Sequence, residues 1–293
     1  MTSTDPTIFV TGANGHFGRL AIKGLLSHVP ASRLIAGMRN PGAGADLTAR
    51  GVEVRRIDYD TPATLDAALA GIDRLLFVSS NAVGQRGPQH RNVVEAARGA
   101  GVGLVVYTSI LHADTTPIGL AADHRETEAA LHASGLPFVL LRNGWYTENY
   151  AESAPMAVAH GVVLGSAGNG RISSASRADY AAAAVAVLTS DRDEAGAVYE
   201  LAGDDAYTLA ELAAELARQS GQPIVYRDLP EIEYRTILEG AGLPESLASA
   251  LASADTHAAL GALYDDTQQL SQLIGRPTTP LATTISQVLE STI

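Results

Sequence analysis

Three glycines at three-residue spacing, Gly12, Gly15 and Gly18, are the residues of this chain best suited to a defined chemistry. They follow a short apolar run and open an apolar-periodic segment that is typical of a helix. A strand, a glycine turn and a helix form a pocket for a pyrophosphate, because glycines let the backbone approach and the helix N-terminus presents free N–H groups. The alternative is a turn that only joins strand to helix. The position of the glycine segment at the first strand–helix junction favours dinucleotide binding.

The end of the second predicted strand indicates which dinucleotide binds. NAD sites place an acidic residue there, about 20 residues after the glycines, to bond the ribose 2′-hydroxyl. Here the strand ends on Met38-Arg39-Asn40 and carries no carboxylate. The Arg39 guanidinium could pair with a 2′-phosphate, and a solvated surface arginine is the alternative. The sequence therefore predicts NADPH as the cofactor.

Polar residues also end the next strands, where ligands of parallel sheets bind. Asp58 could accept the adenine amino group or cap the following helix. Ser79, Ser80 and Asn81 end the fourth strand, and ordinary turn hydrogen bonding is their alternative role. Thr108 ends the fifth strand. These positions predict a cofactor cleft along one edge of the sheet.

An aromatic cluster follows the sixth predicted strand. It contains Trp145, the only tryptophan of the chain, with Tyr146 beside it and Tyr150 nearby. Such a cluster can form a flat apolar wall for a planar substrate, or it can pack as core. Both alternatives are open at this point.

The elements that must position these residues alternate between strands and helices, which predicts an α/β fold with a Rossmann-type, doubly wound parallel sheet. A smaller, mostly helical C-terminal region follows. We predict a dinucleotide-binding domain over residues 1–155 and a substrate-binding region over 156–293, with about 173–203 packing back on the sheet. Predicted strands are Thr7–Val10, Leu34–Met38, Val52–Ile57, Arg74–Val78, Gly103–Tyr107, Phe138–Leu141 and Val198–Leu201.

Composition excludes several classes of protein. The chain has 293 residues, 46% of them hydrophobic and 18% charged, as in a folded globular protein. A net charge of −12 disfavours nucleic acids and anionic membranes as partners. The chain has no cysteine and no histidine pair at zinc-motif spacing, so no metal site is predicted. The N-terminus has no signal pattern, which predicts a cytoplasmic protein. Nothing predicts the oligomeric state.

The motifs together resemble a known family. The glycine segment, Arg39 and LRNGWYTENY (residues 141–150) are similar to the NmrA-like atypical short-chain dehydrogenases. Longer segments, such as YTSILHAD (107–114) and LIGRPTT (273–279), resemble the bacterial type 2 NAD(P)H:quinone oxidoreductases within that group. The resemblance implies a Rossmann domain, a smaller C-terminal region and a quinone cleft between them.

The resemblance also implies site residues. Together with the strand ends, it predicts NADPH contacts from Gly12, Ala13, Asn14, Gly15, His16, Phe17, Gly18, Arg39, Asp58, Ser79, Ser80, Asn81, Thr108, Asn143, Gly144, Trp145, Tyr146, Thr147 and Glu148. The quinone is expected on Trp145, Tyr146 and Asn149.

One departure concerns the acid of the reaction. Typical short-chain dehydrogenases use a Tyr-x-x-x-Lys pair, and the aligned positions here are Leu120 and His124. A quinone makes this loss tolerable, because hydride addition yields an aromatic product and general-acid help matters less. His124 and Tyr146 are the predicted catalytic residues. His124 could contact ribose, donate a proton or lie on the helix surface.

The prediction is thus an NADPH-dependent enzyme that reduces a quinone by hydride transfer. The alternative is a non-catalytic redox sensor that binds NADP(H), since some relatives of this type are regulators. A reductase or epimerase acting on a sugar or phenolic ether is a weaker alternative, because it needs the missing tyrosine.

Overall fold

The computed structural model of the protein describes residues 6–82 and 84–291. Its contacts form two compact units that interleave along the chain. The first unit holds the described residues up to Ile110, then Ala122–Arg142 and Tyr180–Tyr199. The second holds Leu111–Ala121, Asn143–Asp179 and the described residues from Glu200 onward. The functional division predicted at residue 155 stays a prediction.

Within the described residues, seven strands form one sheet in the order β3-β2-β1-β4-β5-β6-β8. The strands of this sheet are β1 (Ile8–Val10), β2 (Leu34–Met38), β3 (Glu53–Arg56), β4 (Arg74–Phe77), β5 (Leu104–Ile110), β6 (Phe138–Asn143) and β8 (Val198–Leu201). The pairs β2–β3, β1–β2, β1–β4 and β4–β5 run parallel. This order confirms the predicted doubly wound fold.

The helices of the described chain alternate with these strands and then dominate its C-terminal part. They are α1 (His16–Leu25), α2 (Ala45–Ala49), α3 (Pro62–Leu69), α4 (Arg86–Ala100), α5 (Ala121–Ser134), α6 (Glu148–Ala151), α7 (Ala154–His160), α8 (Arg177–Leu188), α9 (Leu209–Ser220), α10 (Glu231–Gly240), α11 (Glu245–Ala258), α12 (Gln269–Ile274) and α13 (Leu281–Ser291). Two short 3-10 helices cover Ala31–Arg33 and Pro41–Gly44. No described helix has the length and apolar character needed to cross a membrane.

Strand burial explains the continuous apolar runs in the sequence. All residues of β1 and β2 are buried, as expected for parallel strands covered on both faces. One core cluster joins strand residues such as Phe9 and Phe77 to Leu65 of α3, Val93 of α4 and Leu131 of α5. The sheet is therefore held rigid beneath the ends of its strands.

Helix α1 fits closely against its neighbours in the first unit. Its buried residues Phe17, Ala21, Ile22 and Leu25 recur at helical spacing, which gives one apolar face. A Cβ atom on Gly24 would lie 2.9 Å from Val185 of α8, so glycine permits the close approach of these helices. The packing fixes where the first turn of α1 points.

Two features differ from the predicted elements. Strand β5 continues to Ile110 rather than ending at Tyr107, so Thr108 lies within the strand. Strand β9 (Val225–Asp228) pairs in parallel with β7 (Val162–Gly165) and was not predicted. Its residues are mostly exposed and lack an alternating apolar pattern, which leaves no periodic signal to find. A capping box begins α9, where Oγ1 of Thr208 accepts from the Glu211 N–H and the Glu211 carboxylate accepts from the Thr208 N–H.

Candidate cofactor site

A cavity of about 510 Å³ opens in the first unit where β1 and β4 lie side by side and the strand order reverses. Crevices at such switch points bind dinucleotides in doubly wound sheets. The cavity is lined by residues at the carboxyl ends of β1 to β4 and by one residue of α4: Gly12, Asn14, Gly15, Gly37, Met38, Arg39, Asn40, Ile57, Asp58, Tyr59, Asp60, Val78, Ser79, Ser80, Asn81, Ala82 and Gln89.

The glycine turn forms one wall of this cavity. Gly12 has a φ of 58°, a left-handed conformation that favours glycine. A Cβ on Gly18 would lie 2.4 Å from the carbonyl oxygen of Gly12, so a side chain there would collide with backbone. Gly37 is equally confined, because its Cβ would lie 2.3 Å from the Phe9 ring. The Ala13 N–H donates to the carbonyl of Gly37 at 3.1 Å, which ties the turn to β2.

These residues fit the pyrophosphate of a dinucleotide. The turn carries no side chain that would fill the space above it at Gly12 and Gly15, and α1 begins directly afterwards at His16. The first N–H groups of a helix have no carbonyl partner within it, so they are available to phosphate oxygens. The local geometry therefore supplies anion donors without needing a cation.

Arg39 also lines the cavity, and it is exposed. No described residue forms an ion pair with Arg39, whereas Arg19 is engaged by Asp46 at 2.6 Å. Arg19 also donates to Asn14 of the glycine turn at 3.2 Å and to the Ala43 carbonyl at 2.7 Å. Arg19 thus ties the glycine turn to the segment after β2, while Arg39 remains available to an anionic group.

At the end of β3, Asp58 stabilises a turn rather than the next helix. Its Oδ1 accepts from the Asp60 N–H at 3.1 Å, while Thr61 precedes α3. Both carboxylate oxygens of Asp60 accept from Nε2 of Gln89, at 3.1 and 3.0 Å. The helix-capping alternative for Asp58 is therefore wrong, and the adenine contact stays a prediction.

The profile of a protein family described as NAD(P)H-binding matches residues 12–191, which is more than half of the chain. The chain belongs to this NAD(P)H-binding family. The matched range begins at the first glycine of the turn described above, so the family and the cavity identify the same feature.

Individual proteins similar to this chain support the same family assignment. It is 52% identical to quinone oxidoreductase 2 of Escherichia coli over 281 residues, which covers 96% of this chain and 98% of that protein. It superposes with a TM-score of 0.93 on a crystal structure of an NADPH-dependent quinone oxidoreductase from Escherichia coli complexed with NADPH, at 52% identity, covering 96% of this chain and 99% of that one. A Citrobacter triphenylmethane reductase complexed with NADP(H) gives a TM-score of 0.92 at 37% identity, with coverage of 96% and 99%. These matches confirm the resemblance inferred from the sequence motifs.

Eight of the residues predicted to contact the cofactor line the cavity: Gly12, Asn14, Gly15, Arg39, Asp58, Ser79, Ser80 and Asn81. Five others of the first unit do not line it: Ala13, His16, Phe17, Gly18 and Thr108. Phe17 is buried on α1, and Thr108 is buried in β5, where its Oγ1 accepts from the Ser79 N–H at 2.9 Å. The predicted residues that do not line the cavity therefore support its wall.

His124 lies inside the first unit and not on a helix surface. It is 5% exposed, so the surface alternative is wrong. Its Nδ1 lies 2.8 Å from the Tyr107 hydroxyl, and its Nε2 lies 3.2 Å from Nη1 of Arg86. Burial, and next the charge of Arg86, lower the pKa of His124, so the ring is neutral near pH 7. A neutral ring that accepts from Arg86 is poorly suited to donate a proton, and the catalytic role stays a prediction.

The remaining predicted residues belong to the second unit. Asn143 is buried, and neither polar atom of its side-chain amide has a hydrogen-bond partner among the described residues. Its amide is therefore open to a ligand or to water. Trp145 is 8% exposed, and its carbonyl accepts from the Ala175 N–H at 3.1 Å. Gly144 donates to the carbonyl of Leu201 at 2.7 Å.

Arg177 organises the segment after Trp145. Its guanidinium carbon lies 5.3 Å from the centre of the Tyr146 ring, which is a cation–π distance. The Glu148 carboxylate accepts from the Arg177 N–H at 2.9 Å and so caps the start of α8. Asn149 Oδ1 accepts from Arg177 Nη2 at 3.3 Å. Thr147 is buried, and its Oγ1 lies 2.8 Å from Oγ of Ser174.

Sequence reasoning missed part of the cavity lining. The missed residues are Gly37, Met38, Asn40, Ile57, Tyr59, Asp60, Val78, Ala82 and Gln89. Most of them follow or end a strand, so their position at the carboxyl edge was a usable signal. Gln89 lies within α4, and nothing in the local sequence distinguishes it from an ordinary helix residue.

Proposed function

We propose that this protein is an NADPH-dependent quinone reductase that transfers two electrons as a hydride in one step. The observation that carries the proposal is the cavity at the sheet switch point, which is lined both by Gly12, Asn14 and Gly15 of the glycine turn and by Arg39. Arg39 is exposed and has no ion-pair partner among the described residues. The relatives described as quinone oxidoreductases that span nearly the whole chain support the choice of acceptor.

The residues of the first unit would bind and orient the cofactor. N–H groups at the start of α1 bind the pyrophosphate, and Arg39 binds the 2′-phosphate through its planar fork. Ser79, Ser80 and Asn81 line the wall formed by the loop after β4. When bound, NADPH supplies the hydride.

The acceptor explains why the chain functions without the usual tyrosine–lysine pair. A quinone that gains a hydride and a proton becomes an aromatic hydroquinone, so the developing oxyanion is stabilised by the product ring itself. Positioning of the two reactants then matters more than general-acid help. Trp145, Tyr146 and Asn149 are the proposed quinone contacts, and Tyr146 is a candidate to hydrogen-bond the quinone oxygen.

The test is steady-state oxidation of NADPH by purified protein with 1,4-benzoquinone and a series of substituted quinones. NADH in place of NADPH and aldehydes in place of quinones are the matched controls. We expect turnover that needs both NADPH and quinone, without a semiquinone signal in electron paramagnetic resonance. Tight NADPH binding without turnover would instead favour the redox-sensor alternative. A cytoplasmic location stays the prediction made from the sequence.

A further inference from the structure

The loop after β4 lies in the wall of the cofactor cavity and is held in place by side chains. We infer that His90 is a positioning residue for NADPH, because its Nε2 accepts the Ser80 N–H and so fixes the cavity-lining backbone at Ser80. This inference rests on the cofactor-binding part of the proposed function. It assigns a task to a buried histidine that does not itself line the cavity.

The loop begins where regular pairing of β4 ends, at Phe77. The Val78 N–H donates to Oγ1 of Thr11 at 2.8 Å, and the Val78 carbonyl accepts from the Tyr59 hydroxyl at 2.9 Å. The next N–H, of Ser79, donates to Oγ1 of Thr108 at 2.9 Å. Side chains from β5 and from the segments after β1 and β3 therefore replace the lost backbone partners.

Ser80 is held from α4 on both sides of its backbone. Its N–H donates to Nε2 of His90 at 3.0 Å, and its carbonyl accepts from Nε of Arg86 at 2.6 Å. The side chain of Ser80 turns into its own loop, where Oγ accepts from the Ala82 N–H at 3.1 Å. Displacing this backbone would therefore move Ser80, Asn81 and Ala82, all of which line the cavity.

His90 can serve as an acceptor because α5 fixes its tautomer. Its Nδ1 lies 2.8 Å from Oγ1 of Thr127, and that oxygen donates its own proton to the Asp123 carbonyl at 2.9 Å. Nδ1 must then carry the ring proton, which leaves Nε2 with a lone pair for Ser80. Burial, and next the charge of Arg86, lower the pKa of His90 to about 3, so this neutral form persists at physiological pH.

The His90 ring is also fixed sterically. It is 1% exposed and meets Phe77 edge to face, with the ring centres 4.9 Å apart. Tyr59 and Tyr107 flank it at 6.3 and 5.8 Å. A ring held on this many sides cannot follow a moving loop, so it acts as a fixed reference point for the Ser80 peptide.

Helix α5 holds other parts of the same segment. Oδ2 of Asp123 accepts from the Gly84 N–H at 3.1 Å. Nε2 of His124 accepts from Nη1 of Arg86 at 3.2 Å, while its Nδ1 faces the Tyr107 hydroxyl. Asp123 holds the loop directly, while His124 and Thr127 hold Arg86 and His90, the two α4 residues that bond the Ser80 backbone. Helix α5 thereby supports the cavity wall.

The test compares two amide substitutions, which differ by one methylene group and therefore place the acceptor oxygen at different positions. In His90→Gln the amide oxygen can stand near the position of Nε2, whereas in His90→Asn the shorter amide stands near Nδ1 and leaves the Ser80 N–H without its partner. Isothermal titration calorimetry with NADPH measures Kd, and quinone-dependent turnover measures KM and kcat separately. Thermal unfolding of each variant is followed in parallel.

We expect His90→Asn to raise Kd and KM for NADPH about tenfold, the cost of leaving one partly buried donor unpaired, with a smaller change in kcat. His90→Gln should restore most of the affinity. Equal affinity in both variants and the wild type would overturn the inference, even if both melt at lower temperature. Equal weakening in both would also overturn it, because the acceptor would then not be the cause.

A second variant decides the case if His90→Asn does not fold. Thr127→Val removes the oxygen that holds the His90 proton on Nδ1, and we expect it to weaken NADPH binding less than tenfold but measurably. Unchanged affinity in Thr127→Val would then overturn the inference. Wild-type protein that binds NADPH but reduces no quinone would reject the proposed activity alone, so the two failures are distinguishable.

Discussion

Gly18 packs directly on the backbone of Gly12: a Cβ atom at position 18 would lie 2.4 Å from the Gly12 carbonyl oxygen and 2.9 Å from its carbonyl carbon. The last glycine of the turn thus permits the first turn of α1 to close against the start of the turn. Gly18 does not line the cavity, yet the position of the N–H groups proposed to bind the pyrophosphate depends on it.

Substituting this glycine should therefore affect both stability and binding. We expect Gly18→Ala to lower the free energy of unfolding by about 1–3 kcal/mol, because the methyl group meets backbone that must shift. NADPH affinity should fall with it. The control is Gly99→Ala in α4, where a Cβ would meet nothing within 4 Å. That variant should gain about 0.4–1 kcal/mol, and chemical denaturation with calorimetry measures both.

Charge reversal at Arg39 tests the assignment of the 2′-phosphate. We expect Arg39→Glu to weaken NADPH binding by about 2–3 kcal/mol, because a charged contact is lost and a repulsive one replaces it. NADH binding should change far less. Arg50→Glu, an exposed arginine outside the cavity lining, controls for net charge. Equal losses of affinity for both cofactors would refute the assignment.

Trp145 distinguishes substrate binding from core packing. We expect Trp145→Ala to impair quinone turnover more than NADPH affinity. At 8% exposure the side chain also contributes to the core, and truncation of a buried tryptophan costs about 3–5 kcal/mol. Trp145→Phe keeps much of that packing and serves as the matched variant. A change confined to the melting temperature in both variants would show that Trp145 acts in core packing and not in substrate binding.

A buried carboxyl group should make stability depend on pH. Burial raises the pKa of Asp255 to about 6, although hydrogen bonds from Tyr150 at 2.6 Å and from the Ser166 N–H at 3.0 Å partly offset this rise. At pH values between the pKa of Asp255 in the unfolded chain and its pKa in the folded protein, the folded state binds one more proton than the unfolded state. Stability contributed by Asp255 is therefore largest at low pH and falls as pH rises from about 4 to about 6.

Asp255→Asn removes this titration. The free energy of unfolding of the variant minus that of the wild type should rise by up to about 3 kcal/mol as the pH rises from 4 to 7. Urea unfolding at several pH values measures the difference. Asp66→Asn, at an exposed aspartate of α3, controls for the change in net charge. A difference that stays constant with pH would contradict the assignment.

Much of the cofactor site was readable from local sequence because it lies where strands end. Arg39 and Ser79 follow strands that read as apolar runs, and the topology of a parallel sheet brings such ends to one edge. Asp58 follows β3, whose sequence Glu53-Val54-Arg55-Arg56 is not an apolar run. The capping box of α9 was equally local, since Thr208 and Glu211 are three residues apart. Signals of this kind need no knowledge of distant neighbours.

Other roles depend on residues far apart in the chain. His124 gave three alternatives from sequence, and only its contacts with Tyr107 and Arg86 showed a buried, neutral ring. The carboxylate of Glu148 accepts from the N–H of Arg177, 29 residues later, a contact that the local sequence does not indicate, and its contact with the cofactor stays a prediction.

The sequence by itself determined the fold class, the glycine turn and the identity of the residues at the strand ends, because hydrophobic periodicity and glycine spacing act over a few residues. Only the tertiary structure decided which side chains hold the loop after β4, because Thr11, Tyr59, His90 and Thr108 reach it from separate elements. A hydrogen bond depends on distance and direction in space, and the order of residues in the chain does not specify either.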